Sequence, residues 1–235
     1  MYLPELENYL SEMGEPRFRA KQIFHWLQSG VTDFDEMTDI SKALRERLKA
    51  DAYIASAETE RRYASRLDET VKYVFRLFDG ELIETVLMKY EHGYTVCIST
   101  QVGCRMGCKF CASGINGLTR SLTASEMLAQ ITAVQRDNNI RVSNIVMMGM
   151  GEPLDNFDNS VRFLKLVSDE NGLNIGLRHI SLSTSGVVSG IKKLKEYNLP
   201  ITLSISLHAP SDDIRSSVMP VNKRWNIDEL LAACK

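Results

Sequence analysis

The sequence predicts an α/β fold: a partial parallel β/α barrel, preceded by a small helical domain and a β-hairpin. From about residue 95, four strand-like runs each lead into a helical run, and this alternation is typical of a parallel sheet. One of these runs, VSNIVMMGMG (142–151), is nearly all apolar, as a buried parallel strand is. Four parallel strands do not close a barrel, and the chain stops inside its last predicted helix. We therefore expect a fragment of a longer protein.

The chain divides into three predicted regions: a helical accessory domain over residues 1–52, a β-hairpin linker over 53–94 and an incomplete α/β core over 95–235. In the linker, Asp79-Gly80 lies between two β-rich runs, which is the strongest short signal for a hairpin. The core is predicted to run as strand 95–102, helix 121–137, strand 142–151, helix 156–170, strand 179–186, helix 188–198, strand 201–210 and helix 226–235.

Helical periodicity dominates the first region. Apolar residues recur there at the i, i+3, i+4 and i+7 positions of a run that stops at Gly30, and they are Ala20, Ile23, Phe24 and Leu27. The predicted helices are also locally basic, with Arg17, Arg19, Lys21, Lys42, Arg45, Arg47 and Lys49. Such a set is either a solvated helix face or an RNA-contacting surface.

An acidic residue interrupts an apolar strand face in the hairpin. Period-two spacing puts Leu82, Glu84, Val86 and Met88 on one face of the second strand. Either this face is exposed, or Glu84 points into a functional site. The spacing alone leaves both alternatives open.

Composition excludes several classes of protein. The 235 residues are 44% hydrophobic with a net charge of −2, as expected of a globular protein, and no apolar run is long enough to span a membrane. The N-terminus is polar and does not resemble a signal peptide, so we predict a cytoplasmic protein. Proteins held to nucleic acid mainly by charge are normally basic, so an RNA contact would depend on a local patch or on pocket shape.

The strongest chemical signal is the run GCRMGCKFCASG (103–114), in which Cys104, Cys108 and Cys111 follow the first core strand at C-x3-C-x2-C spacing. Ligands of parallel α/β folds bind at the carboxyl ends of the strands. Soft thiolates at this spacing suit an iron–sulfur cluster or zinc. Three ligands would leave one iron of a 4Fe-4S cluster open to a substrate or cofactor. A zinc site would need a fourth ligand, either Cys97 or a histidine.

Small polar residues also end the other three core strands. They are Gly151 and Glu152 after the second strand, Ser183 and Thr184 on the third, and Ser206 and His208 on the fourth. Because the carboxyl ends of parallel strands meet at one edge of the sheet, these residues predict a single polar site. The carboxylate of Glu152 could bind an ammonium group there.

Together these motifs resemble a known family. The cysteine run, with Phe110 before its last cysteine, is similar to the signature of the radical S-adenosylmethionine (radical SAM) superfamily. The resemblance extends to the RlmN/Cfr family of RNA methyltransferases, and the N-terminal helices favour its RlmN branch. It implies a radical SAM barrel with about four of six βα units present, a 4Fe-4S cluster and S-adenosyl-L-methionine. The segments that carry it are FRAKQIFHWL, IETVLM, CISTQVGCRMGCKFCASGINGLTRSLTASEM, VMMGMGEPLDN, HISLSTSG and SLHAPSDDIRSSVMPVNKRWNIDELLAAC.

The resemblance assigns roles position by position. The cluster would be held by Cys104, Cys108 and Cys111. S-adenosylmethionine would be bound by Gly151, Glu152, Ser183, Ser206, Leu207 and His208, with Leu207 contributing backbone atoms. The implied catalytic residues are Glu84, as proton acceptor, and Cys97, as a second active-site cysteine.

The resemblance also implies a reaction on RNA. Family members methylate C2 of an adenosine in 23S ribosomal RNA, and often in tRNA. Because C2 is electrophilic, one cofactor molecule first methylates a cysteine near the C-terminus, and a second activates that methyl group by radical chemistry. The target base must leave its stack to be reached. The methyl-carrying cysteine is expected beyond residue 235, so the chain by itself should be inactive.

The expected partners are ribosomal RNA, tRNA and a reductant such as flavodoxin or ferredoxin, with no membrane and a monomeric protein. Two alternatives remain open: a Cfr-type methyltransferase that modifies C8, and a non-enzymatic, zinc-stabilised RNA-binding module. The sequence also leaves open whether Glu84 or Cys97 removes the proton.

Overall fold

The computed structural model describes residues 1–235. None of its helices is both long and apolar enough to cross a membrane. The strands are β1 (Glu58–Ala64), β2 (Val71–Arg76), β3 (Leu82–Tyr90), β4 (Gly93–Cys97), β5 (Gln101–Gly103), β6 (Leu118–Ser121), β7 (Val142–Met147), β8 (Ile180–Thr184) and β9 (Thr202–Ile205). The helices are α1 (Leu3–Glu12), α2 (Phe18–Ser29), α3 (Lys42–Asp51), α4 (Ala124–Asn138), α5 (Phe157–Val167), α6 (Val188–Glu196), α7 (Asp212–Val218) and α8 (Ile227–Ala233).

One mixed sheet of seven strands organises the molecule, in the order β1-β2-β3-β4-β7-β8-β9. Strands β1 to β4 pair antiparallel, whereas β4, β7, β8 and β9 pair parallel. The predicted α/β fold with four parallel strands is therefore confirmed, and the sheet remains open. The predicted hairpin is also confirmed: β2 and β3 pair in register around the Asp79-Gly80 turn, where Gly80 has φ +86°. Because β3 pairs with β4, the region 53–94 extends the sheet of the core.

The N-terminal region is helical, as predicted. Ala20, Ile23 and Phe24 on α2 are buried, and the helix ends at Gly30 in a left-handed conformation. This region docks onto α4 of the core, where Arg136 donates a hydrogen bond to the carbonyl of Gly30 at 3.0 Å. A side chain on Gly30 would meet Thr132 at 2.8 Å, so the close approach of α2 and α4 depends on this glycine.

Several elements differ from the sequence-based expectation. Strand β1, helix α7 and the small antiparallel pair β5–β6 were not predicted. The first core strand ends at Cys97 rather than at residue 102. The reason is that the backbone N–H and carbonyl of Ser99 bind the side chain of Gln130 on α4, at 2.8 and 2.9 Å. The backbone of Ser99 therefore leaves the ladder, and the chain turns towards the cysteine loop.

The two faces of the seven-stranded sheet differ in burial. One face packs against the core helices, and its residues include the buried Ile83, Val96, Ile145 and Leu182. The other face is covered only in part, so the prediction that the run 142–151 is a fully buried strand was wrong for alternate positions such as Val146. The strand register places Glu84, Val86, Cys97, Val146 and Ser183 on this second face, which we call the open face.

Candidate functional site at the carboxyl edge of the sheet

The cysteine loop, residues 104–117, connects β5 to β6, the two strands of the small antiparallel pair. Its closing bond runs from the N–H of Cys104 to the carbonyl of Gly117 at 2.8 Å, and the N–H of Cys111 bonds to the carbonyl of Cys108 at 3.1 Å. Cys104 is buried, Cys108 is half-buried and Cys111 is exposed. The three thiols therefore lie at different depths, with Cys111 nearest the surface and Cys104 deepest.

A glycine makes the closure of this loop possible. Gly103 has φ +74°, and a side chain there would collide with the carbonyl of Gly117. That carbonyl is the acceptor for Cys104, so a larger residue would displace the first thiol as well as strain the backbone.

The three thiols lie close enough to influence one another electrostatically. Burial, followed by the neighbouring Glu152, Cys108 and Cys111, raises the pKa of Cys104 to about 11. Burial also raises the pKa of Cys108, with Cys111 adding to the effect. Thiols bind metal as thiolates, so Cys104 and Cys108 must lose their protons when a metal centre binds.

The loop is fixed to the sheet by an acidic residue that the sequence analysis missed. Asp155 accepts a two-pronged pair from Arg105, the residue after Cys104, at 2.9 Å from Nε to Oδ2 and 2.5 Å from Nη2 to Oδ1. Gln101 donates to the same carboxylate at 3.0 Å and accepts from the N–H of Glu152 at 2.9 Å. The cysteine loop and Glu152 are thereby held in one network.

Glu152 is the buried carboxylate of the site. Only 3% of it is exposed, and its oxygens accept hydrogen bonds from the backbone of Ser185 at 2.7 Å and of Leu154 at 3.1 Å. Burial raises the pKa of the carboxyl, while these donors act in the opposite direction. No Lys, Arg or His pairs with it among the ion pairs of the structure.

The ends of β8 and β9 complete the same edge. The hydroxyls of Ser183 and Ser206 lie 3.5 Å apart across the two strands. His208 has φ +56°, a conformation that non-glycine residues adopt rarely and that is enriched at functional sites. Its ring meets Phe110 of the cysteine loop edge-on, with 4.8 Å between ring centroids. The fourth strand end and the cysteine loop are therefore in contact.

Buried polar side chains hold these segments, and sequence patterns had not singled them out. Asn156 donates to the carbonyls of Thr100 and Leu122, at 2.9 and 2.7 Å. Gln130 binds Ser99, and Arg215 binds the ends of β8 and β9. The signal that could have found Gln130 is a polar residue inside the apolar helical run MLAQITAV.

The two implied catalytic residues lie on the open face. Cys97 is opposite Val86 in the β3–β4 register, and Glu84 is two residues from Val86, so Glu84 is a diagonal neighbour of Cys97. Glu84 is exposed and pairs with Lys72 at 2.6 Å. The first alternative for this face, that it is exposed, agrees with the structure. The same face carries Cys97, and a functional role for Glu84 stays a prediction. Burial raises the pKa of the Cys97 thiol.

The structure tests what these residues can hold. No three His, Cys, Asp or Glu side chains converge tightly enough for a single metal ion, and a cluster holds its thiolates farther apart than one ion does. Three cysteines on one loop, held by the Cys104–Gly117 and Cys111–Cys108 backbone bonds, fit such a cluster by the chemistry of their thiolates. Glu152 fits a cationic ligand, because it is a buried carboxylate without a cation. The buried hydroxyl of Ser185, beside it, also lacks a hydrogen-bond partner.

Gly151 adds a place for close backbone approach beside Glu152. It has φ +100°, and a side chain there would meet Cβ of Gln101 at 2.6 Å. A cavity of about 530 Å³ lies elsewhere, between α2 and α4, and none of the predicted site residues lines it.

Comparison with known proteins gives the family. Residues 98–235 match the model of the Radical SAM superfamily, and residues 1–54 match that of the Ribosomal RNA large subunit methyltransferase N-terminal domain. The chain is 55% identical to the probable dual-specificity RNA methyltransferase RlmN of Alkaliphilus oremlandii and 50% identical to that of Clostridium novyi. Each match covers 99% of this chain and 68% of the relative.

A solved structure agrees. The crystal structure of a radical SAM methyltransferase from Sphaerobacter thermophilus matches with a TM-score of 0.94 and 46% identity, over 100% of this chain and 70% of that one. The predicted fold class, family and cofactors are thus confirmed. The chain belongs to the RlmN family of radical SAM RNA methyltransferases, enzymes that carry a 4Fe-4S cluster and use S-adenosylmethionine.

Proposed function

We propose that the protein methylates C2 of an adenosine in 23S ribosomal RNA and in tRNA. The observation that carries this proposal is the position of Glu84 and Cys97, which lie side by side on the open face of the sheet whose edge holds the cysteine loop and Glu152. A base and a thiol are thus present where a substrate can enter. The names of the relatives, which describe RNA methyltransferases of dual specificity, favour the same assignment.

The cofactor-binding roles follow from the site geometry. Cys104, Cys108 and Cys111 would hold the cluster, which, when bound, supplies the electron that cleaves S-adenosylmethionine. The buried carboxylate of Glu152 would bind the ammonium group of that cofactor, and Gly151 lets the ligand approach the backbone closely. The remaining contacts would come from Ser183, Ser206, the backbone of Leu207, and His208.

For proton removal from C2 we assign Glu84 rather than Cys97. Burial raises the pKa of the Cys97 thiol, so at neutral pH the thiol is protonated and is a poor base. Glu84 is exposed on the face that the base would enter, and only a surface ion pair with Lys72 constrains it. Cys97 is left for another role. The carbon radical formed from the methyl group is expected to add to the adenine ring and so to link enzyme and RNA covalently, and Cys97 would help to resolve that link.

None of the five cysteines is assigned as the methyl carrier. Cys234, the one outside the site, lies at the end of α8, which packs against α6 in the helical layer and not at the open face. We therefore propose that the carrier cysteine, and with it the methyl-cysteine intermediate, is supplied by sequence that follows residue 235.

RNA binding is proposed for the N-terminal helices. Arg45, Arg47 and Lys49 are paired with acidic residues of the same region. In contrast, Arg17, Lys21 and Lys42 are exposed and belong to none of the ion pairs; they are the best candidates for phosphate contacts. We propose a cytoplasmic protein, because RNA substrates and the reduced thiols that a cluster requires favour that compartment. Its proposed partner is a small electron-transfer protein such as flavodoxin or ferredoxin.

The test is the identity of the product. The complete gene product, reconstituted without oxygen, is incubated with a 23S rRNA fragment and with tRNA, and the digested nucleosides are analysed by mass spectrometry. We expect 2-methyladenosine from both RNAs; 8-methyladenosine would instead establish the Cfr-type alternative. Glu84→Gln should abolish turnover, whereas Glu60→Gln, which alters another exposed glutamate in an ion pair, should leave it intact. A Glu84→Gln enzyme with full activity would contradict the base assignment.

A further inference from the structure

Arg215, on α7, is a buried charge that the proposed chemistry does not use. It is among the largest fully buried side chains, with 0% exposure. Its guanidinium donates to the carbonyls of Leu207 (3.1 Å from Nε), Ser185 (2.6 Å from Nη2) and Ser206 (3.3 Å from Nη2). Nη1 donates to Oδ1 of Asn222 at 2.8 Å. The cation is therefore satisfied by neutral oxygens and not by a carboxylate.

Burying this guanidinium costs free energy, and the hydrogen bonds that it makes must offset that cost. A buried charge without a direct counter-ion is strongly disfavoured unless every donor is well placed. Here three of the four acceptors belong to the ends of β8 and β9, where Ser185 and the Ser206–Leu207 pair lie. The planar guanidinium is suited to this arrangement, because its donors point in fixed directions and can hold two strand ends at a set separation.

Arg215 and Glu152 act on the same residue from opposite sides. The N–H of Ser185 donates to Oε2 of Glu152 at 2.7 Å, and its carbonyl accepts from Nη2 of Arg215 at 2.6 Å. The next residue, Gly186, has φ +107°, and a side chain there would come within 3.0 Å of the same Nη2. A buried anion and a buried cation thus hold one backbone residue between them.

The helix that carries Arg215 also contacts the cysteine loop. The carbonyl of Val218, at the end of α7, accepts from the N–H of Lys109, which lies between the second and third cysteines. On the other side, Asn222 donates to Asp212 at 2.8 Å, and Asp212 accepts from the N–H of Ile227 at the start of α8. Arg215 is therefore the centre of a segment that touches the cysteine loop, Ser185 and both strand ends.

We propose that Arg215 is a positioning residue: it sets the distance and orientation between the cysteine loop and the carboxylate of Glu152, so that S-adenosylmethionine can reach both at once. The inference rests on the cofactor-binding role proposed for Glu152. It concerns binding of the cofactor and not the identity of the RNA product, so the two can fail separately. Arg215 does not touch the cofactor itself; it acts through the backbone of Ser185, Ser206 and Leu207.

The test compares cofactor affinity with cluster content. Arg215→Lys keeps a positive charge but loses the planar guanidinium with its several fixed donors. The matched control is Arg224→Met, which changes an exposed arginine in the segment between α7 and α8. Each holoprotein is reconstituted without oxygen. Iron and sulfide content, thermal unfolding and S-adenosylmethionine affinity are then measured, the last by the change that the cofactor causes in the electron paramagnetic resonance spectrum of the reduced cluster.

We expect Arg215→Lys to keep the iron content of the wild type and to bind the cofactor about tenfold more weakly, as the loss of one or two charge-assisted hydrogen bonds implies. Arg224→Met should match the wild type in all three measurements. A merely structural role would instead lower iron content and thermal stability together, without a separate loss of affinity.

A second variant keeps the proposal falsifiable if Arg215→Lys fails to fold. Asn222→Ala removes the acceptor of Nη1 and leaves the three carbonyl bonds of Arg215 in place. We expect it to retain the cluster and to weaken cofactor binding about two- to fivefold. The proposal is overturned if the variants that fold bind the cofactor as tightly as Arg224→Met does, or lose affinity only in proportion to lost iron.

Discussion

The two carboxylates with proposed roles, one in the parallel and one in the antiparallel half of the sheet, differ in burial and in hydrogen bonding. Glu152, at the end of β7, is 3% exposed, accepts two backbone hydrogen bonds and is joined through Gln101 and Asp155 to the cysteine loop. Glu84, on the antiparallel strand β3, has a side chain that is 49% exposed, and its partner Lys72 is similarly accessible. The same residue type is buried and held by backbone donors in one half, and exposed in a surface ion pair in the other.

The difference agrees with the ligand that we propose for each half: the cofactor for the parallel half and the RNA base for the antiparallel half. A small charged cofactor gains affinity when its contacts are preorganised and desolvated, because little ordering is left to occur on binding. An RNA base must enter from outside, so its side of the site has to stay open. We infer that the parallel half is preorganised before its ligand binds, and that the antiparallel half becomes ordered when the substrate binds.

The largest effect is expected from the cluster ligands. Cys108→Ala should abolish cluster assembly, since a trio of thiolates cannot lose a member and still hold the cluster with one open iron. The N-terminal helices should remain folded, because they are held by buried residues such as Leu10, Phe24 and Leu44 and by the Arg136–Gly30 bond to α4. Iron analysis and circular dichroism test both points, with Cys234→Ala as the matched control. Wild-type iron content in Cys108→Ala would refute the ligand assignment.

The second prediction separates the two glutamates directly. Glu152→Gln should weaken S-adenosylmethionine binding about 10- to 100-fold, because a charge-assisted contact to the ammonium group is lost from a buried position. Glu84→Gln should leave that affinity within about twofold, since Glu84 lies on the substrate side. Equilibrium binding to the reconstituted proteins measures both. An equal loss of affinity in the two variants would contradict the proposal that the parallel half binds the cofactor and the antiparallel half binds the substrate.

The same contrast predicts a pH dependence. Burial raises the pKa of Glu152, so on acidification this carboxyl gains its proton at a higher pH than an ordinary glutamate does. Protonation removes the negative charge that pairs with the ammonium group, and cofactor affinity should therefore decrease as the pH falls through that raised pKa. The affinity of Glu152→Gln should not change over the same range. If the cofactor affinity of the wild type stayed constant until the pH reached the usual pKa range of glutamate, the role assigned to Glu152 would be wrong.

A smaller effect is expected from the Arg105–Asp155 pair, which holds the cysteine loop in place. Asp155→Asn would replace the two-pronged pair with Arg105 by weaker neutral hydrogen bonds. The cluster should still assemble, but a chelator should remove its iron faster because the loop opens more often. Asp158→Asn is the control, since Asp158 is exposed in the first turn of α5 and pairs only with Lys193 on α6. Identical rates of iron loss would show that the Arg105–Asp155 pair does not hold the loop.

Local patterns predicted most of the fold and the cysteine loop, but not the buried polar side chains that hold them in place. The Asp79-Gly80 turn, the alternation of strands and helices, and the C-x3-C-x2-C run are all properties of neighbouring residues. Arg215 and Gln130, in contrast, act on residues 30 positions or so away in sequence, such as Ser185 and Ser99. A lone arginine in the short run SDDIRSSV reads as a solvated charge, and only the packing of α7 shows that it is buried.

The smallest effect is expected from Lys72, and it is the most direct test of the openness of the antiparallel half. Lys72→Met removes the partner of Glu84, and both side chains are nearly half exposed. Exposed pairs of this kind contribute less than about 1 kcal/mol, and salt screens them. The free energy of unfolding, measured with urea at low and high salt, should therefore change by less than that amount, with a smaller change at high salt. A larger loss that is insensitive to salt would mean that Glu84 is held as firmly as Glu152, and that the substrate side of the site is also built in advance.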